Sequence, residues 1–311
     1  MMAIHEILYP TDFSEAARYA GRYAASLARK LGASIHVLHV PLIPLPPIPG
    51  ELSGLTLAKL YEAGRFKAEA RLQALLQEEE FQGLSVRTTV AMGIVEDEIL
   101  KAAEGSNLII MGTHGRTGLS RAMLGSVTEK VARLAPQPVL AVKHPEVKVE
   151  LPWGGILAGR RKAKEGLGLQ RILVPLDGSA LAESILPEVK DLARPFRAEM
   201  TLLRVIPPPL TPSVKPPEKV WAKDWAEGEA YLKAKQQELE AEGFRVQTEV
   251  RYGNAAEEIL DSAEQSDTDL IAMATHGRSG LRRWLLGSVA EKVLRGSDIP
   301  VLLYRAWTPP K

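Results

Sequence analysis

Apolar and polar positions follow two periods along this chain, and the periods take turns. HEILYP at 5–10 is a short apolar run that predicts a strand. After it, Ala16, Ala20, Ala24, Leu27 and Leu31 recur at helical spacing. Ser14 stands where a cap accepts a helix-start N–H, and Gly32 stands where the helix ends. SIHVLHV at 34–40 predicts a strand, followed by the proline-rich PLIPLPPIPG at 41–50. Residues 55–82 predict a long helix, 84–91 a strand, 95–105 a helix, 107–111 (NLIIM) a buried strand, 125–135 a helix and 138–143 (PVLAVK) a last strand. The second part of the chain repeats this order, with its own proline-rich stretch at 206–218. Alternating strands and helices imply an α/β fold whose parallel sheet has right-handed crossovers. Ligands of such sheets lie beyond the carboxyl ends of the strands, where the strand order reverses. Asp12, Val40 and Gly112 fall at strand ends, as do Asp177, Val205 and Ala274.

The repetition extends to the residues. ILYPTDFS at 7–14 matches ILVPLDGS at 172–179, and GTHGRTGLSRAMLGS at 112–126 matches ATHGRSGLRRWLLGS at 274–288. Between 112–131 and 274–293, 14 of 20 positions are identical, which marks a duplication. The period far exceeds that of a solenoid repeat. The boundaries read as a first domain at 1–143, a linker at 144–170 and a second domain at 171–311. A strand, a glycine-rich loop and a helix opening in Gly-Ser form a phosphate cradle. Glycine lets the backbone approach an anion, and the helix-start N–H groups point at it.

Composition adds exclusions. Net charge is +1, which gives no bulk electrostatic case for nucleic acid or a membrane surface. The basic run at 160–164 reads as a solvated tether. The absence of cysteine rules out disulfides and thiolate metal sites. No apolar run is long enough for a membrane helix, and MMAIHEILYP lacks the layout of a signal peptide, so a cytoplasmic protein is expected. P-loop, dinucleotide-fingerprint, nucleophile-elbow and kinase motifs are all missing.

The spacing G-x-x-G-x9-G-[ST], met by Gly112, Gly115, Gly125 and Ser126, together with PTD at 10–12 and HV at 39–40, resembles that of a universal stress protein domain. The resemblance covers nearly all of both halves, as in tandem members of that family. It implies two Rossmann-like domains, each a five-stranded parallel sheet in the order 3-2-1-4-5 flanked by helices. The domains associate through their last strands about a pseudo-twofold axis, here within one chain as an intrachain pseudo-dimer. Homodimer formation by two chains stays open.

The resemblance further implies an adenine-nucleotide site, for ATP or for ADP or AMP. In it Asp12 and Val40 hold the adenine and ribose side, and Pro10 and Thr11 shape the strand end. Gly112, Thr113, His114, Gly115 and Arg116 wrap the ribose and phosphates, while Gly125, Ser126, Val127 and Thr128 face the phosphates. Magnesium or manganese would bridge the phosphates without protein ligands. The second set is Pro175, Asp177, Val205, Ala274, His276, Gly277, Arg278, Gly287, Ser288 and Val289. It is expected to be weaker. Ala274 stands where the motif has its first glycine, at a cost if that position needs φ > 0 and with a Cβ to crowd the ribose otherwise. Ala290 also lacks the hydroxyl of Thr128.

The expected function is an ATP-binding stress-response regulator acting on a protein partner that the sequence does not name. A slow ATPase or nucleotide-dependent transferase stays open, as does a scaffold whose site is vestigial. Asp12 is the sole nearby candidate for a general base, and it is assigned to the nucleoside. The proline-rich stretches follow the strands ending at Val40 and Val205, where they could close over the base.

Overall fold

The computed structural model describes residues 4–42, 54–113, 125–144, 149–150, 156–157, 168–208, 218–275 and 286–305. In the first half the elements run β1 (Glu6–Pro10), α1 (Glu15–Leu31), β2 (Ser34–His39), α2 (Gly54–Leu76), β3 (Val86–Val90), α3 (Val95–Ala103), β4 (Leu108–Gly112), α4 (Ser126–Leu134) and β5 (Val139–Val142). Between the halves, β6 (Val149–Glu150) and β7 (Ile156–Leu157) pair antiparallel. Strands of two residues leave no period in a sequence, so nothing in the pattern announces them. The second half runs β8 (Arg171–Pro175), α5 (Ala180–Glu183), α6 (Leu186–Phe196), β9 (Glu199–Ile206), α7 (Glu218–Ala241), β10 (Arg245–Tyr252), α8 (Ala255–Gln265), β11 (Leu270–Ala274), α9 (Ser288–Gly296) and β12 (Val301–Tyr304).

Among the described residues the long strands form one ten-stranded sheet in the order β10-β9-β8-β11-β12-β5-β4-β1-β2-β3. Each half therefore has the expected order 3-2-1-4-5, parallel throughout. The halves join where β12 pairs antiparallel with β5, with Leu302 opposite Leu140. That pairing removes the edge each fifth strand would otherwise expose. Lys143 Nζ lies 2.8 Å from Asp298 across the seam, and the Arg305 guanidinium donates to the Leu134 carbonyl at 3.1 Å.

The central strands are apolar without alternation because both faces are covered. Leu108 to Met111 and Val139 to Val142 are all buried. One core holds Ile7, Tyr9, Ile110 and Leu140 with Ile172, Val174 and Leu302, and α1, α2, α6 and α7 supply its outer layer. The other holds Leu8, Ile109 and Val139 with Leu173, Ile271 and Val301, under α3, α4, α8 and α9. Both cores run across the seam.

Helix α1 starts at the Ser14 cap, whose hydroxyl accepts from Ala17 N at 3.2 Å, and ends at Gly32 in the left-handed region at φ 68°. Its buried stripe is Ala17, Ala20, Ala24, Leu27 and Ala28, so the sequence reading is one residue early at the start. Its counterpart in the second half is broken into α5 and α6, with Pro187 in the first turn of α6, where a missing N–H is harmless. The long helix expected over 55–82 stops at Leu76. A 3-10 turn at Glu79–Phe81 follows, and Phe81 stacks on Tyr9 at 6.2 Å.

Candidate functional site

The order 3-2-1-4-5 reverses between β1 and β4, so the carboxyl ends of β1, β2 and β4 lie side by side. At the end of β1, Thr11 N donates to the Leu38 carbonyl at 2.8 Å and extends the parallel pairing by one residue. Asp12 then turns the chain. Its Oδ1 accepts from Ser14 N at 3.0 Å and from the Ser14 hydroxyl at 2.6 Å. The second half repeats this turn, with Asp177 Oδ1 accepting from Ser179 N at 2.9 Å and from its hydroxyl at 2.6 Å. Pro10 and Pro175 close the two strands. Val40 is buried in the core on the α3 and α4 side, so at the end of β2 it offers its backbone. Val205 is only partly buried.

The glycine-rich loop is pinned at its base. Thr113 N donates to the Val142 carbonyl at 3.0 Å, and Gly125 N to the Thr113 carbonyl at 2.8 Å. The matching bonds are Thr275 N to Tyr304 at 2.9 Å and Gly287 N to Thr275 at 2.8 Å. His114, Gly115 and Arg116, and likewise His276, Gly277 and Arg278, lie outside the described residues. So does most of each proline-rich stretch. Gly125 and Gly287 occupy the caps of α4 and α9, and as glycines they supply no capping side chain. Ser126 and Ser288 are exposed there, with Val127 and Val289 half-buried beside them. Thr128 is different. It is buried, and its hydroxyl donates to the Gly112 carbonyl at 2.7 Å. It braces β4 against α4, and Ala290 lacks that brace.

Gly112 lies in β4 without a left-handed φ. Its need for glycine is one of space. A Cβ there would sit 2.9 Å from the Ala16 carbonyl oxygen in the first turn of α1. The left-handed reason offered for a penalty at Ala274 therefore has no counterpart in the fold, and the direction that a Cβ takes is toward the helix. Ala274 is buried in the half whose corresponding helix is short and broken.

Sequence reading gives no site role to three residues around Asp12. Phe13 is buried at φ 62°, and His39 and Arg71 both contact its ring, at 4.5 Å and 4.1 Å. The His39 Nδ1 donates to the Thr11 carbonyl at 2.7 Å, which fixes the proton on that nitrogen. Phe13 and His39 stand inside ILYPTDFS and HV, but spacing does not show that they meet Arg71, which is distant in the chain. The one available signal is the repeat, which sets Gly178, Arg204 and Tyr231 opposite them. Burial pushes the Tyr9 hydroxyl up, and that hydroxyl donates to the Ala17 carbonyl at 2.7 Å. No cluster of three or more His, Asp or Glu placed to hold a metal exists among the described residues.

A family model described as the universal stress protein family matches the chain twice, over residues 3–143 and 168–305. Universal stress protein Slr1230 of Synechocystis is 27% identical over 318 residues, covering 96% of this chain and 99% of its own. Universal stress protein MJ0531 of Methanocaldococcus jannaschii is 33% identical over 144 residues, 45% of this chain and 83% of its own. A solved universal stress protein of Archaeoglobus fulgidus shares the fold with a TM-score of 0.70 at 25% identity, over 96% of this chain and 98% of that one. A relative of full length and a relative matching half the chain together fit a duplicated unit.

Proposed function

The chain belongs to the universal stress protein family as a tandem member, and on that premise we propose that it is an adenine-nucleotide-binding regulator. The observation carrying this reading is the meeting of three features at one switch point. They are the Asp12 turn, the end of β2 at Val40, and a Gly125-Ser126 helix start with no capping side chain. The last offers helix-start N–H donors and the positive end of a helix dipole. The Ser126 hydroxyl adds a donor, and the glycine-rich loop at 112–125 supplies close backbone approach. A base fits against the backbone at the end of β2, and a ribose at Asp12. A divalent ion accompanying ATP would draw its ligands from phosphate and water.

The second half has the same turn and the same pinned loop, so we assign it a second, weaker site. Here the weakness rests on contacts that the second half does not share with the first, and no longer on a left-handed glycine. ATP serves as a ligand that selects a conformation or a partner. Asp12 Oδ1 is held as an acceptor by Ser14, which suits a binding group more than a general base.

Calorimetry of ATP binding to Gly125→Val tests the cradle. The branched side chain occupies the phosphate approach, so binding to the first half is lost with the fold retained. Unchanged affinity removes the cradle from the mechanism. Steady-state turnover well above about 1 per second would convert the reading to that of an ATPase.

A further inference from the structure

Phe13 is a bulky residue in the left-handed region, at φ 62°. The other non-glycine residues with positive φ among those described, Arg197 and Asp267, follow helix ends, where that conformation is common. Phe13 instead sits inside the Asp12 turn. The second half builds the same turn with Gly178 at φ 80°, and its Asp-to-Ser hydrogen bonds match to within 0.1 Å. Glycine is thus sufficient for the fold here, and Phe13 stores backbone strain that the fold does not require.

Contacts around the ring hold it there. Phe13 N donates to Thr11 Oγ1 at 3.1 Å, and the Tyr9 hydroxyl is 3.3 Å from the same oxygen. His39, anchored on the Thr11 carbonyl, packs on one part of the ring, and the Arg71 guanidinium of α2 lies over it. Every member changes in the second half, to Val174, Leu176, Gly178, Arg204 and Tyr231. Leu176 has no side-chain oxygen to receive the N–H, and Gly178 has no ring. Arg204 reaches the Leu176 carbonyl at a long 3.5 Å, while Tyr231 donates to Glu183.

Resting on the nucleotide reading above, we propose that Phe13 is a positioning residue that ties the Asp12 corner of the first site to α2. It pre-orders Asp12 for the ligand and passes occupancy to α2 through Arg71, whereas in the second half Tyr231 of α7 bonds Glu183 of α5 instead. Pre-ordering raises affinity by removing an ordering cost at binding. A ligand that favours the ordered corner also favours the docked position of α2, by as much as it discriminates between the two states.

The test uses the full chain with ATP, calorimetry and hydrogen exchange read over 67–76. In the unmodified protein, ATP slows exchange over 67–76. Phe13→Gly weakens the tighter site roughly tenfold or more and abolishes that protection, and Phe13→Tyr restores both. Arg71→Met, which keeps the packing stem, retains most of the affinity and loses the protection. Binding by the unmodified protein with Phe13→Gly indistinguishable from it overturns the proposal and leaves the nucleotide reading standing. ATP binding with no protection over 67–76 also overturns it. Absence of any ATP binding by the unmodified protein overturns the nucleotide reading, and this proposal with it.

Discussion

At the scale of single residues, position 112 shows how packing selects a side chain. Gly112→Ala drives a methyl to 2.9 Å from the Ala16 carbonyl, and a backbone atom cannot swing away. The first turn of α1 must shift, and we expect a loss of about 1–3 kcal/mol in denaturant unfolding. His36 provides a second case. It is buried, its Nε2 bonds Thr89 at 2.9 Å, and its Nδ1 has no hydrogen-bond partner among the described residues. Burial first, and the nearby Arg87 charge second, lower its pKa to about 4, with Glu6 opposing. The unfolded chain binds a proton from about pH 6.5 downward, whereas the folded chain binds it only near 4. Stability is therefore intact above pH 6.5 and falls as the pH drops toward 4, by on the order of 2–3 kcal/mol from this group. The slope of unfolding free energy across that window should flatten in His36→Leu. An equal slope in both proteins would remove His36 as its source.

At the scale of elements, the two Asp–Ser turns start helices of very different length. α1 has 17 residues and α5 has four, so the same cap supports different amounts of structure. Ser14→Ala removes the cap of α1 and one partner of Asp12, at about 1 kcal/mol. The same change at Ser179 should cost less, since a four-residue helix carries little of the packing. Thermal unfolding of the two variants compares them directly. The Thr128 hydroxyl joins α4 to β4, and Thr128→Ala should lose about 1 kcal/mol and loosen the base of the glycine loop. Slow hydrogen exchange at Gly125 N in the native protein, faster in the variant, reads out that loosening.

At the scale of the molecule, two continuous cores cross one sheet. The β5–β12 pair joins halves that otherwise resemble separate domains. We expect one cooperative unfolding transition, with far-UV circular dichroism and tryptophan fluorescence coinciding. Leu302→Ala, in the fully buried centre of the seam, should cost about 2–5 kcal/mol and separate that transition into two. Two transitions in the unmodified protein would mean that each half is stable without the seam. No helix among the described residues is long and apolar enough to cross a membrane.

The sequence by itself determined the element order, the duplication and the places where chemistry concentrates. Those features are written in local signals. Strand-like runs, Ser14 and Gly32 as helix ends, and the paired glycine motifs each act within a few residues. From the family resemblance carried by those motifs came the strand order and the meeting of the last strands. Tertiary structure decided what depends on neighbours far along the chain. It made Gly112 a question of room under Ala16 and turned Thr128 inward to a carbonyl. It also gathered Tyr9, Phe13, His39 and Arg71 around one turn, and built the same turn around Gly178 with different neighbours. A residue's spacing reports its own period, whereas the atoms that press on it come from wherever the fold brings them.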